Sequence, residues 1–433
     1  MLRTLDLRGR ALSPADLLAA VPRATAARSE ALETAARLVE DVATNGETAL
    51  RAQAEQFDGV TGHDIRVPLE HLDEALERLD SSVREALERA IDRVRVASAV
   101  QVPPPATTKV GPGALIHQRW QPVRRVGVYV PGGKAVYPSS VVMNVVPAQA
   151  AGVQQIALAS PPQRSEGGRV HPVILAAARL LGVTEVYAMG GAGAIGAFAF
   201  GVPSLGLDAV DVVTGPGNNF VAAAKRVVAG RVGTDSEAGA TEILIVADDT
   251  ADARLVAADL ISQAEHDEQA SAVLVTTSPS LADAVQIEVA ARAATTLHAE
   301  RIAVALAGPQ SAIVLVDDLD DAVEFSNAYA PEHLELHLAD PMTDRFVHAG
   351  AVFVGAHSPV SLGDYLAGSN HVLPTGGQAR YAAGLSASTF LRPQQIIEYD
   401  QAALAEVADA IVALADAEVL PAHGEAVRAR FTA

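Results

Sequence analysis

The chain has 433 residues, 49% hydrophobic but only 4% aromatic, and a formal net charge of −20. That length supports two or three domains around a core of Ala, Val and Leu, the usual make-up of an α/β protein. The charge argues against a nucleic-acid or anionic-membrane partner, and the absence of cysteine excludes disulfides, cysteine-ligated zinc and a thiol nucleophile.

Met1-Leu2-Arg3-Thr4-Leu5-Asp6 carries charge where a signal peptide would be apolar. Residues 13 to about 100 read as helices joined by short turns, with Ser13-Pro14 as N-cap and first-turn proline. Leu32, Ala35, Ala36 and Val39 share one helical face. Pro103-Pro104-Pro105 breaks this section from the next. The longest apolar region, residues 141–159, is interrupted by Asn144, Pro147, Gln149, Gln154 and Gln155, so no transmembrane helix is expected and the expected location is the cytoplasm.

From Arg125 onward short Val-rich runs alternate with glycines and Ala-rich helices. Strands are predicted at 126–130, 185–189 and 209–213, then at 243–246, 272–275, 312–316 and 351–354. The alternation predicts parallel βαβ units in two Rossmann-like doubly wound domains, with ligands at the carboxyl ends of the strands. The tail after Arg392 reads as helical. The expected organisation is an N-terminal helical section (1–125) packing with the second α/β domain, a first α/β domain (126–240), a second carrying the metal ligands (241–380), and a tail (381–433).

Three glycine turns follow predicted strands: Val130-Pro131-Gly132-Gly133, Gly191-Ala192-Gly193-Ala194-Ile195-Gly196, and Gly215-Pro216-Gly217-Asn218-Asn219. The second fits G-x-G-x-x-G, with Asp208 or Asp211 as the acidic partner by spacing. Tight helix packing explains the same glycines equally well. The third has amides able to form an anion-binding nest. Together the three favour a nucleotide.

The segment Asp364-Tyr365-Leu366-Ala367-Gly368-Ser369-Asn370-His371-Val372-Leu373-Pro374-Thr375 gathers an acid, an amide and an imidazole in a loop-like string. Residues 250–266 read as a helix with Gln263 and His266 on one side, able to reach one ion, although taken alone His266 reads more readily as a structural histidine. In Pro331-Glu332-His333-Leu334-Glu335-Leu336-His337-Leu338, the leucines alternate with polar residues, which predicts a half-buried strand with His337 toward solvent. Glu332 and His333 then sit at the strand entrance, where they could divide proton handling, although the residues alone favour an ordinary polar strand start. These donors suit a zinc-class ion and a polar substrate. By composition alone, Glu418 and His423 lie on a solvated helix end.

In order along the chain, Gly215-Pro216-Gly217-Asn218, Ser262-Gln263-Ala264-Glu265-His266, Tyr329-Ala330-Pro331-Glu332-His333-Leu334-Glu335 and Ser361-Leu362-Gly363-Asp364-Tyr365 through Thr375 resemble the histidinol dehydrogenase family. The resemblance implies two successive NAD-linked oxidations of L-histidinol through the aldehyde to L-histidine. It implies one Zn2+ held by Gln263, His266, Asp364 and His423, with His333 as general base and Glu332 activating water. Thr241, Gln263, His266, His333, Asp364, His371, Glu418 and His423 would surround the substrate, and Tyr129, Asn218 and the Gly193 position would meet NAD. It also implies a homodimer whose C-terminal tails complete each other's sites. Gly193 stands where the family often has glutamine, Thr241 where serine is common, and Val419 where glycine is frequent. A related zinc- and NAD-dependent dehydrogenase of another small polyol is the alternative.

Overall fold

The computed structural model describes residues 2–10, 13–23, 28–132, 136–236 and 239–431; Gly133 of the first glycine turn lies outside them. In chain order the strands are β1 (Arg3–Asp6), β2 (Ala106–Gly111), β3 (Ala114–Pro122), β4 (Arg125–Tyr129), β5 (Gln155–Ser160), β6 (Glu185–Ala188), β7 (Val212–Thr214), β8 (Gly233–Thr234), β9 (Glu242–Ala247), β10 (Ser271–Thr276), β11 (Ala312–Leu315), β12 (His333–His337), β13 (Ala351–Val354) and β14 (Leu391–Tyr399). The chain divides into a larger unit, Met1–Gln101 with Arg124–Phe390, and a smaller one, Val102–Val123 with Leu391–Ala433.

The larger unit holds two parallel sheets, ordered β6-β5-β4-β7-β8 and β1-β11-β10-β9-β12-β13. Apart from β1, which extends one edge, both follow the same doubly wound order, reversing at β4/β7 and at β9/β12. Strands covered on both faces need continuous apolar runs. Ile243-Leu244-Ile245-Val246 and Ala272-Val273-Leu274-Val275 supply them, and every residue of β9 and β10 is buried.

β12 departs from its expected half-exposure. It lies between β9 and β13, and all five of its residues are buried, His337 included. Leu334 and Leu336 join the core around Phe325 and Tyr329. Register with Ile243 and Ile245 puts His333 and Glu335 on the opposite face, the one covered by helix Ala253–Ala264. The alternation marked two chemically different buried faces, one apolar and one polar.

The N-terminal section also differs from expectation. β1 and helix Pro14–Ala20 do join the second sheet, where β1 pairs with β11. Helix Arg28–Asn45 instead packs Ala35, Leu38, Val39 and Val42 against Ile195 and Phe198 beside the first sheet. The reason is local: Gly196 leaves room for the Val39 backbone, which would lie 3.2 Å from a Cβ there.

In the smaller unit β14 pairs antiparallel with β3, and β3 with β2. The tail therefore opens as a strand before helices Gln401–Ala417 and Pro421–Arg428, which corrects the all-helical reading. The β2–β3 hairpin, also absent from that reading, turns at Pro112-Gly113. Gly113 sits at φ +71, and its carbonyl accepts from the Asp400 amide at 3.0 Å. The Asp400 carboxylate then caps the next helix through the Ala403 amide at 2.8 Å.

Candidate active site

The two sheets of the larger unit share a cavity of about 910 Å³. The first sheet meets it with strand carboxyl ends, as a doubly wound sheet should. The second meets it with the amino ends of β9 and β12, contrary to the expectation that ligands lie at carboxyl ends in both. The loops that carry Thr241 and Glu332 enter their strands there.

Tyr129 ends β4, and its hydroxyl accepts the Gly191 amide at 3.2 Å; burial pushes the phenol up to about 12. Gly215 follows β7 at φ +119, and a Cβ would lie 1.9 Å from the Tyr129 carbonyl oxygen, so only glycine fits. The Gly215 amide donates to Asp235 at 2.7 Å, and the buried Lys225–Asp235 pair clamps the turn. That amide is therefore spent, and the expected anion nest is partly closed. Asn218 caps helix Asn219–Val228, its Oδ1 accepting from Phe220 at 3.0 Å and Val221 at 3.2 Å. Among the described residues its side-chain NH2 has no partner.

Gly190 and Gly191 line the cavity, but the later glycines of the motif serve helix packing. A Cβ on Gly193 would lie 2.2 Å from Gln53 Oε1. Gly193 is buried beneath Gln53, and it is Gln53, not Gly193, that lines the cavity at this point. Neither spaced acid serves either. Asp211 accepts the Arg124 and Arg125 amides at 2.8 and 3.0 Å, at the amino start of β4, and the Asp208 carbonyl accepts from Arg125 at the same edge.

At the second sheet, one hydrogen-bond chain links three expected residues. Gln263 Nε2 donates to Thr241 Oγ1 at 2.6 Å, and Thr241 Oγ1 donates to Glu332 Oε2 at 2.6 Å. The Glu242 amide donates to the same Glu332 oxygen at 2.9 Å. His333 Nδ1 lies 3.0 Å from the Glu242 carbonyl, which can only accept, so Nδ1 carries a proton and Nε2 is the ring atom able to accept one. Just upstream, Ala330 sits at φ +49, a left-handed non-glycine conformation that costs about 1–3 kcal/mol and clusters at functional sites. Burial pushes Glu332 up to about 7, opposed by His333, Thr241 and the Glu242 amide.

Helix Ala253–Ala264 ends at these amino ends, delivering Gln263 on its last turn and His266 just beyond. Asp364 comes from helix Val360–Tyr365, and His266, Asp364 and His371 line the same cavity. Burial lowers the His266 pKa, opposed by the Asp364 carboxylate. Burial likewise lowers that of His371, which donates Nδ1–H to the Asp364 carbonyl at 2.9 Å. Asn370 steadies this loop by donating to Met143 at 2.6 Å.

The donor set fits zinc. Gln263's nitrogen is held by Thr241, so its oxygen is free to ligate, and a neutral, desolvated His266 is a ready ligand. Metal-competent side chains also continue outward. Asp259, Glu335 and His337 have ligand atoms within 4.8 Å of one another, one helical turn before Gln263 and one pleat beyond His333. Glu335 Oε1 accepts the Val360 amide at 2.7 Å, and burial together with the Glu335 charge pushes Asp259 up to about 7. The sequence reading missed this cluster because it took β12 as half-exposed. It also missed the buried Arg23–Glu242 ion pair, 2.6 Å, although an acid heading an apolar strand run was a visible signal.

Within the smaller unit, Glu418 closes helix Gln401–Ala417 and His423 lies on helix Pro421–Arg428, both exposed. Val419 between them sits at φ +58, a conformation glycine adopts freely and a β-branched residue does not.

A family model for histidinol dehydrogenase matches residues 21–431. The histidinol dehydrogenase of Leifsonia xyli subsp. xyli (strain CTCB07) is 63% identical over 432 residues, 99% of either chain. That of Thermobifida fusca (strain YX) is 58% identical over 429 residues, 99% of this chain and 97% of its own. The crystal structure of histidinol dehydrogenase from Elizabethkingia anophelis matches with a TM-score of 0.92 at 31% identity, covering 99% of this chain and 98% of that one. Since the likeness runs the length of the chain in sequence and in fold, this protein belongs to the histidinol dehydrogenase family, NAD-dependent and zinc-binding oxidoreductases of histidine biosynthesis.

Proposed function

We propose that Glu332 and His333 divide the proton transfers of the two oxidations that carry L-histidinol through L-histidinaldehyde to L-histidine. His333 Nε2 takes the hydroxyl proton in the alcohol step. Glu332 takes a proton from water in the aldehyde step, a role suited to a carboxylate whose pKa stands near neutrality. With no cysteine in the chain, a water-derived route to the acid is the chemically consistent one. Gln263, His266 and Asp364 would hold zinc, and Tyr129 and Asn218 would contact NAD. Bound NAD supplies the hydride acceptor, and bound zinc supplies the Lewis acid that grips the substrate's imidazole and amine. Thr241 and His371 position the substrate.

Residues 126–240 then act as the cofactor half and 241–380 as the metal half. We further propose a homodimer in which the partner's Glu418 and the partner's His423 complete the site. Exposed Ile397, Leu414, Val419 and Leu420 give the smaller unit an apolar surface suited to such an exchange. A cytoplasmic location suits the cysteine-free, acidic composition, and among the described residues no helix is long and apolar enough to cross a membrane.

The observation that carries the reading is the directional chain from Gln263 through Thr241 to Glu332, beside a His333 whose tautomer is set by the Glu242 carbonyl. NADH formation from L-histidinol, with and without prior chelation, tests it. Two NADH per histidinol, lost on chelation and restored by zinc, is the expected result. Release of free aldehyde after one NADH, or turnover indifferent to chelation, contradicts it.

A further inference from the structure

The end of the cavity formed by helices Arg28–Asn45 and Glu47–Gln53 carries a feature the proton chemistry does not use. Helix Glu47–Gln53 runs on into a π turn, Ala54–Asp58, which closes at Gly59 with φ +63. π turns are rare and occur frequently at functional sites. This one lines the cavity with Phe57 and Asp58, along with Leu38, Leu50 and the cavity-facing Gly190 and Gly191. Phe57 is 56% exposed, so an aromatic face is left uncovered there.

Asp58 is half-buried, yet among the described residues its carboxylate has neither a hydrogen bond nor an ion pair. Its carbonyl oxygen, by contrast, accepts from Arg164 Nε at 3.3 Å. Burial pushes the carboxyl up to about 6, with no neighbouring group opposing it. A partly desolvated carboxylate without a partner is costly in a folded protein unless something binds it. Dinucleotide sites on parallel sheets place such an acid on the ribose diol, whose two hydroxyls donate to it, while a 2′-phosphate is repelled. Of the acids at the usual spacing, Asp211 is held by the Arg124 and Arg125 amides, and the Asp208 main chain is fixed by Arg125 at the same far edge of the sheet.

We infer that Asp58 recognises the adenosine ribose of NAD and excludes NADP, with Phe57 and Leu50 supporting the adenine. The inference rests on reading this cavity as the NAD site. Arg164 lines the same cavity, so removing the Asp58 charge leaves a cation free to attract a 2′-phosphate.

Steady-state kinetics of the whole enzyme with NAD and with NADP, at saturating L-histidinol, test it in the wild type, Asp58→Asn, Asp58→Ser and Asp58→Glu. In the Asn and Ser variants the KM for NAD should rise about tenfold to a hundredfold, the range for losing hydrogen bonds to a charged group. The KM for histidinol should hold, and the ratio of kcat/KM for NAD over NADP should fall by about tenfold or more. Asp58→Glu should keep the preference for NAD. An unchanged KM for NAD, or an equal loss with both cofactors, overturns the inference. A wild type that forms no NADH from histidinol would overturn the cofactor reading and this inference with it, whereas wild-type turnover with an unaltered ratio in the variants overturns this inference alone.

Discussion

Replacing Thr241 with valine keeps the branched shape and removes the one hydroxyl that joins Gln263 to Glu332. Both of its hydrogen bonds are 2.6 Å long, and the one to Glu332 stabilises the ionised carboxylate. Hydrogen bonds to charged groups contribute about 1.5–3 kcal/mol, and one pKa unit corresponds to about 1.4 kcal/mol. Removing the donor therefore raises the Glu332 pKa by about 1–2 units above its value of about 7. Water activation needs the carboxylate, so the rate of histidinaldehyde oxidation, plotted against pH, should move alkaline by that amount. Thr241→Ser, which keeps the hydroxyl, should follow the wild type. Gln263 loses the acceptor that orients its amide, so zinc should also be held less tightly. If the Thr241→Val profile superimposes on that of the wild type, the proposed role of Glu332, or its dependence on Thr241, is wrong.

Glu332→Gln should spare oxidation of the alcohol more than oxidation of the aldehyde, and His333→Gln the reverse. Each affected step should slow by about 10²–10⁴-fold; equal losses in both steps, measured by single-turnover kinetics, would count against the division of roles. Arg23→Met should leave Glu242 buried without its counter-charge and remove the cation 4.2 Å above the Tyr329 ring, costing about 3–5 kcal/mol in denaturant unfolding. Burial already raises the Glu242 pKa and Arg23 holds it down. Without Arg23 it rises further, so the variant's deficit should shrink as pH falls and Glu242 takes up a proton; a deficit that grows on acidification would refute the pairing.

Much of the architecture was legible because its signals are local. The Val-rich runs at 243–246 and 272–275 are buried strands, and Glu332 and His333 do stand at the entrance of β12. Burial of a strand is not local. The alternation in β12 looked like a wet face because nothing in five residues says that β9 and β13 flank them or that a polar helix face covers them. Likewise Gly193 and Gly196 satisfy a phosphate-binding pattern, but their neighbours Gln53 and Val39 lie far upstream in sequence. The hydrogen-bond chain through Thr241 spans 91 residues between Thr241 and Glu332, so only the fold could reveal it.

Anomalous diffraction at the zinc edge from crystals of the zinc-loaded protein would locate the metal and identify its ligands. One strong peak is expected, bounded by Gln263 Oε1, the His266 imidazole and the Asp364 carboxylate, with the partner's His423 as the fourth ligand. A principal peak among Asp259, Glu335 and His337 instead, or a fully occupied site that the partner's tail does not reach, would contradict this assignment.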